Sequence, residues 1–445
     1  MKNIKAIQKY LDTYAESEAR QSLNISWQCS YKNALVIPVY REKHTFLDQL
    51  LKNIARRTKE ESLCRNNKSP QKSFLLTLII NQPSNISAEA SKLAHEKNTA
   101  LLEHIRSTYT LKDTIENLSY FQTFNNFDLV TVDRFSEKRQ IPEKQGVGLA
   151  RKIGADIASE LIHSQIIEIP LIFSSDADSE LPRNYFELAN RQIKEKRYAA
   201  LIYDFKHVQN NKSENPLCLH ATKVYEACIK LYANELAKSG SPYGYCTLGS
   251  CLAISFEHYC LTRGFPKRSG GEDFYLLNKL RKLDDILSLK NSQIKINART
   301  SKRVPFGTGP ATEKLMDTLA SGKLPKYYSL ETFKYLKALL SYFNVRTAPS
   351  SYQNLKASIK IGMIRQPTSG LSLSIMFEAL DAIGINSFFE HVSKQNIDET
   401  KIKTEFNNWF DAFKTLKFIH HLSNKAFPKI TIDLLDIDTA IHRQK

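Results

Sequence analysis

Four short, almost wholly apolar runs constrain this 445-residue chain more than any other feature, because each ends on a residue that a buried strand would not carry onward. They are Ala34–Ile37 before Pro38, Phe74–Ile80 before Asn81, FDLVTVDR with Asp133 near its end, and IPLIFSSDADSELP from Ile169 to Pro182. Helical periodicity separates them, from about His44, over 87–107, and through GVGLARKIGADIASELI. Strands apolar on both faces and alternating with helices predict an α/β protein whose mostly parallel sheet is covered on both sides. Ligands of such sheets bind beyond the carboxyl ends of the strands. Pro38, Asn81, Asp133 and Asp176 all stand at such ends, so one crevice is expected to collect them.

The remainder divides by pattern. Residues 1–30 read as an amphipathic helix with Ile4, Ile7, Leu11 and Tyr14 on one face, packing against the first domain. The α/β domain is expected over 31–310. A mainly helical region follows over 311–445, interrupted near Pro325, Pro349, Pro367 and Pro428. Its aromatic residues Trp409, Phe410, Phe413 and Phe418 fall at helical spacing and read as core first, with a grip on an acceptor, a membrane surface or a second subunit as the alternative.

Sixty-three Lys and Arg against 46 Asp and Glu give a net charge of +17, which favours anionic partners without choosing among them: nucleotide sugars, phosphorylated acceptors, an acidic membrane surface or nucleic acid. Zinc-ligand spacing and aromatic RNA-binding motifs are both lacking, so no specific nucleic acid is expected. No apolar run approaches the roughly 20 residues that span a bilayer. The first 20 residues lack the apolar core of a signal peptide. Seven scattered cysteines without a CxxC pair point to a reduced, cytoplasmic protein, with peripheral contact at an inner membrane face as a further expectation.

Chemistry concentrates in three places. Strand alternation places Asp176 and Asp178 on one face with Ala177 on the other, a solvated turn or a helix cap being the alternative reading of such a triplet. Paired carboxylates suit Mg²⁺ or Mn²⁺, which is commonly completed by substrate phosphates and water. GVGLARKIG does not follow GxGxxG, which excludes a nicotinamide fingerprint, yet its glycines allow close backbone approach at a helix N-terminus that favours anions. SGGEDFYLL places Glu272 and Asp273 at a glycine-rich turn opening a helix, where they serve either as reactive carboxylates or as helix caps.

In order, VIPVYRE, GVGLARKIGADIA, FSSDADSELP and GFPKRSGGEDFYLL resemble the GT-A nucleotide-sugar glycosyltransferases, especially family 2 and its bacterial relatives, over about residues 33–310. The resemblance implies a GT-A, Rossmann-like sheet and transfer of one sugar from a nucleoside diphosphate to an acceptor hydroxyl. The acceptor class is open among glycans, lipid-linked compounds and small molecules. Pro38, Tyr40 and Glu42 would line the nucleotide pocket, Glu42 reading equally as a loop acid near a helix start. Asn81 stands where many members carry an Asp that contacts the base, and reads equally as a turn residue. Arg151 would touch nucleotide or phosphate, with an arginine on a solvated helix face as its alternative. Asp178 would be the stronger metal ligand, and Asp176 a second ligand or ribose contact. Asp273 would be the general base of an inverting reaction, and Glu272 would orient the acceptor. The loop RTSKRVPFGTG, with Arg299, Lys302 and Arg303, would fold over the diphosphate or form a solvated turn. The processive QxxRW pattern is absent, which favours single-sugar transfer. A retaining transferase and a non-catalytic scaffold that keeps the fold are the alternatives.

Overall fold

The computed structural model describes residues 3–55, 71–209, 215–300, 307–344, 348–365 and 372–431. The chain forms two units: 1–222 with 247–313, and 223–246 with 314–445. The sequence expectation put one boundary near 310 and kept 223–246 with the sheet; in the structure that segment packs with the C-terminal helices instead.

The first unit is an α/β structure on a ten-stranded sheet. Its strands are β1 (Ser30–Val39), β2 (Gln71–Asn81), β3 (Thr110–Ile115), β4 (Leu118–Gln122), β5 (Phe127–Arg134), β6 (Leu171–Ser174), β7 (Ser179–Glu180), β8 (Ala200–Val208), β9 (Leu252–Ser255) and β10 (Ile286–Asn297), in the order β3-β4-β5-β2-β1-β6-β9-β8-β10-β7. β5, β2, β1 and β6 are parallel, and β9 runs antiparallel between β6 and β8. The chain builds outward from β1 through β2 to β5, then returns to the other side of β1 with β6. That reversal is a topological switch point, where the crevice outside β1 and β6 opens.

β1 continues through Pro38, which pairs with Ile79, so the proline does not end the strand as expected. The Val36 carbonyl accepts from the Ser175 N–H on the β6 side. Residues two apart face the same neighbour, so the N–H that Pro38 lacks would point where β6 has already stopped. The antiparallel hairpin β3–β4 at the sheet edge escaped sequence reading because β3 is largely exposed and carries no apolar run.

The helix Gly146–His163 lies across β1, β2 and β6 and is buried along most of its length. A Cβ on Gly154 would lie 2.3 Å from Val36 Cγ1 and 2.6 Å from Ile79 Cδ1, so only glycine lets helix and sheet approach this closely. Gly154→Ala is expected to cost about 1–3 kcal/mol through overpacking, read as a lowered urea midpoint at unchanged slope. On the outer side of the same helix, Asp156 accepts from the Tyr10 and Tyr259 hydroxyls, the Glu16 backbone N–H and, at 2.8 Å, the Lys152 ammonium. These bonds dock the N-terminal helix, Ile4–Thr13, with Ile7, Tyr10 and Leu11 buried.

The second unit is helical around Leu336, Leu340, Phe343, Phe388, Phe406 and Phe418. Phe410 and Phe418 are in this core and Trp409 packs against it, with the Lys414 ammonium 4.3 Å from the Trp409 ring centroid. Among the described residues no helix is long and apolar enough to cross a membrane.

Candidate functional site

β6 ends at Ser174, and the chain leaves the sheet as the loop Ser175–Asp178 before the two-residue β7. Strand alternation therefore does not govern Asp176 and Asp178, contrary to the sequence expectation. Each carboxylate instead meets its own arginine. Asp176 Oδ1 is 2.6 Å from Arg151 Nη2, and Asp178 Oδ2 is 2.8 Å from Arg299 Nη2.

Arg151 is the centre of the arrangement. Its Nε donates to Glu272 Oε1 at 2.9 Å, and its Nη1 to Ser174 Oγ at 2.8 Å and to the Ser175 carbonyl at 3.4 Å. The side chain is only 4% exposed, so a solvated helix face does not describe it. A Cβ on Gly249 would come within 2.6–2.9 Å of Nη2, Cζ and Nε, so the guanidinium lies directly against the backbone that leads into β9. Burial works against the Arg151 cation, but the Asp176 and Glu272 carboxylates outweigh it and push its already high pKa further up. Glu272, also buried, is engaged by Arg151, which links the Asp176 loop to the helix Glu272–Arg281.

Asp273 is the next residue on that helix and is half-buried. Desolvation and the neighbouring Glu272 carboxylate push its pKa up to about 7, against the opposing pull of Arg151 and the backbone N–H groups of Phe274 and Gly249. The turn before it needs glycine: Gly271 has φ +71°, in the left-handed region. The glycines of GVGLARKIG approach the chain itself, where the sequence reading expected a ligand. A Cβ on Gly148 would sit 2.4 Å from the Pro266 carbonyl oxygen, and the Gly148 N–H donates to the Arg268 carbonyl. The loop leading into Glu272 and Asp273 is thereby pinned to the helix that carries Arg151.

At the β1 exit the chain turns at Arg41, whose φ of +60° is left-handed, and its N–H reaches Asn98 Oδ1 at 3.4 Å. Asn81 is buried, with Nδ2 donating to the Val39 and Ile79 carbonyls, and so ties the β1 and β2 exits together. Pro38 and Tyr40 are half-buried at the same exit. Glu42 joins the site through Arg299, which binds it with two parallel hydrogen bonds of 3.0 and 3.2 Å. Asp133 closes its own turn by accepting from the Phe135 and Ser136 N–H groups. Lys302 and Arg303 lie outside the described residues. Two partners escaped sequence reading, Ser174 and Gly249; nothing in their local sequence signals that both face one guanidinium.

No protein-family model matches the chain, and no curated protein matches it. Among solved structures it is similar to the crystal structure of S. aureus TarS 1–349 in complex with UDP-GlcNAc, at 12% identity and a TM-score of 0.36, covering 84% of this chain and 91% of that one. It is also similar to a crystal structure of S. aureus TarS 1–349 at 11% identity, and to one in complex with UDP at 10% identity. Both give a TM-score of 0.35 and cover 88% of this chain and 91% of the other.

Asp176 and Asp178 are hard oxygen donors two residues apart on one loop. Among the described residues no group of three or more His, Cys, Asp and Glu forms a metal cage. Two carboxylates on one loop are a donor set of the kind that can take part in holding Mg²⁺ or Mn²⁺, with phosphate and water completing the shell. It fits such an ion in composition, with the Asp176 side chain 36% exposed.

Proposed function

We propose that this chain is a GT-A glycosyltransferase that moves one sugar from a nucleoside-diphosphate sugar to an acceptor hydroxyl, with inversion. One observation carries the reading: a carboxyl with a pKa raised to about 7, Asp273, is tied through Glu272 and Arg151 to the Asp176 loop at the sheet's switch point. A base poised near neutral pH beside carboxylates suited to a metal-bound diphosphate is what such a displacement requires. The Asp273 carboxylate takes the acceptor's hydroxyl proton while that oxygen bonds to the anomeric carbon. The bond from that carbon to the diphosphate breaks on the opposite face, and its electron pair leaves with the diphosphate oxygen. A divalent ion held by Asp176 and Asp178 would neutralise the departing charge. Tyr40, Glu42 and Asn81 stand where the nucleoside would rest. With its amide nitrogen occupied, Asn81 would use Oδ1 to accept from a base N–H. Transfer with retention would need no matched base, so Asp273 favours inversion over it, and the anomeric configuration of the product decides between them.

Calorimetric titration of a panel of nucleoside diphosphates and their sugars, with Mn²⁺ and then with chelator, tests the donor site. One nucleotide is expected to bind in a metal-dependent way, and Asp178→Ala is expected to weaken it at least about tenfold. Binding that ignores both chelator and Asp178→Ala would remove the metal from the reading. Failure of every nucleotide to bind would remove the transferase.

A further inference from the structure

Arg299 lies just beyond β10 and spans two carboxylates from opposite sides of the switch point, Glu42 after β1 and Asp178 after β6. Glu42 is held bidentately, through both terminal nitrogens, and Asp178 Oδ2 lies 2.8 Å from Nη2. Side-chain exposures of 32% for Arg299, 12% for Glu42 and 16% for Asp178 place all three where solvent screens charge incompletely. A guanidinium gripped by Glu42 in fork geometry keeps its position if Asp178 turns to another cation. It would then stand as a fixed positive charge beside the metal position.

Resting on the proposed metal site, we infer that Arg299 is the resident counter-ion of Asp178, opposing a bare divalent cation and favouring one that arrives with a diphosphate. A cation alone must break the Arg299–Asp178 pair and then sit beside an unneutralised guanidinium. A diphosphate supplies the missing negative charge, giving Arg299 new acceptors while the ion takes Asp178. The site thereby favours the ion–diphosphate pair over the bare ion.

The test is titration of Mn²⁺ alone, and of Mn²⁺ with inorganic pyrophosphate, into wild type, Arg299→Gln, Arg299→Lys and Asp178→Asn, followed by calorimetry and by the spin-resonance signal of free Mn²⁺. Arg299→Gln is expected to tighten binding of Mn²⁺ alone by about tenfold and to weaken the pyrophosphate-dependent binding by a similar factor, since one fixed charge acts with opposite sign on the two ligands. Arg299→Lys, whose single ammonium cannot match the fork, is expected to move both affinities in the same directions by less, and it serves if the glutamine variant fails to fold. Asp178→Asn should remove the Mn²⁺ site. Wild-type binding of Mn²⁺ that the Arg299 variants leave unchanged or weaken overturns the counter-ion role alone. Absence of Mn²⁺ binding from every protein, with and without pyrophosphate, overturns the metal site on which the inference rests.

Discussion

Asp273→Asn is expected to lower the transfer rate by about 10²–10⁴-fold, the usual contribution of a positioned general base, while nucleotide affinity stays within about twofold. The amide keeps the side chain's shape and cannot take a proton. In the wild type, kcat/KM should rise with pH and level off above about 7, because the carboxyl must be ionised to act and its pKa is pushed up to about 7. The same shift has a stability counterpart with a definite sign. The folded state holds this proton more firmly than the unfolded chain does, so stability falls as pH rises from the ordinary carboxylate range through about 7. Asp273→Asn removes that penalty and should be at least as stable as wild type at pH 8, read by urea unfolding. A variant that keeps most of its activity, or a flat pH profile between 5 and 9, would exclude Asp273 as the base.

The largest structural effect is expected at Arg151. Arg151→Met leaves Glu272 buried and Asp176 partly buried without their shared cation, and breaking a buried ion pair from one side costs about 3–5 kcal/mol. Restoring charge balance should recover part of that loss, so Arg151→Met with Glu272→Gln is expected to be more stable than Arg151→Met alone. Activity should not recover with it, because the tie between the Asp176 loop and the helix bearing Asp273 is gone in both proteins. Arg151 also holds the Asp273 pKa down, so any residual activity of Arg151→Met should titrate at higher pH than the wild type. A loss below about 1 kcal/mol in the single variant would show Arg151 to be peripheral, as an exposed pair would be.

Apolar runs such as Phe74–Ile80 were legible as buried, mostly parallel strands whose exits gather Asn81, Asp176 and the Pro38–Glu42 segment, and Glu272 and Asp273 as the opening of a helix after a glycine turn. Those features follow from hydrophobic period and turn chemistry, which act over a few residues. What each charged side chain faces emerged only when distant segments packed. Arg151 reads as a solvated or ligand-binding residue until Gly249, Ser174 and Glu272 close around it, and they come from three separate parts of the chain. Asp176 and Asp178 look like one pair sharing a strand face, yet β6 stops two residues before Asp176 and each takes a different arginine. The pairing of Arg299 with Glu42 likewise joins the exits of β10 and β1, which three other strands separate in the sheet. Local periodicity fixes where a strand ends; only packing brings those ends together, and electrostatic partnership between them depends on distance and burial that no local pattern encodes.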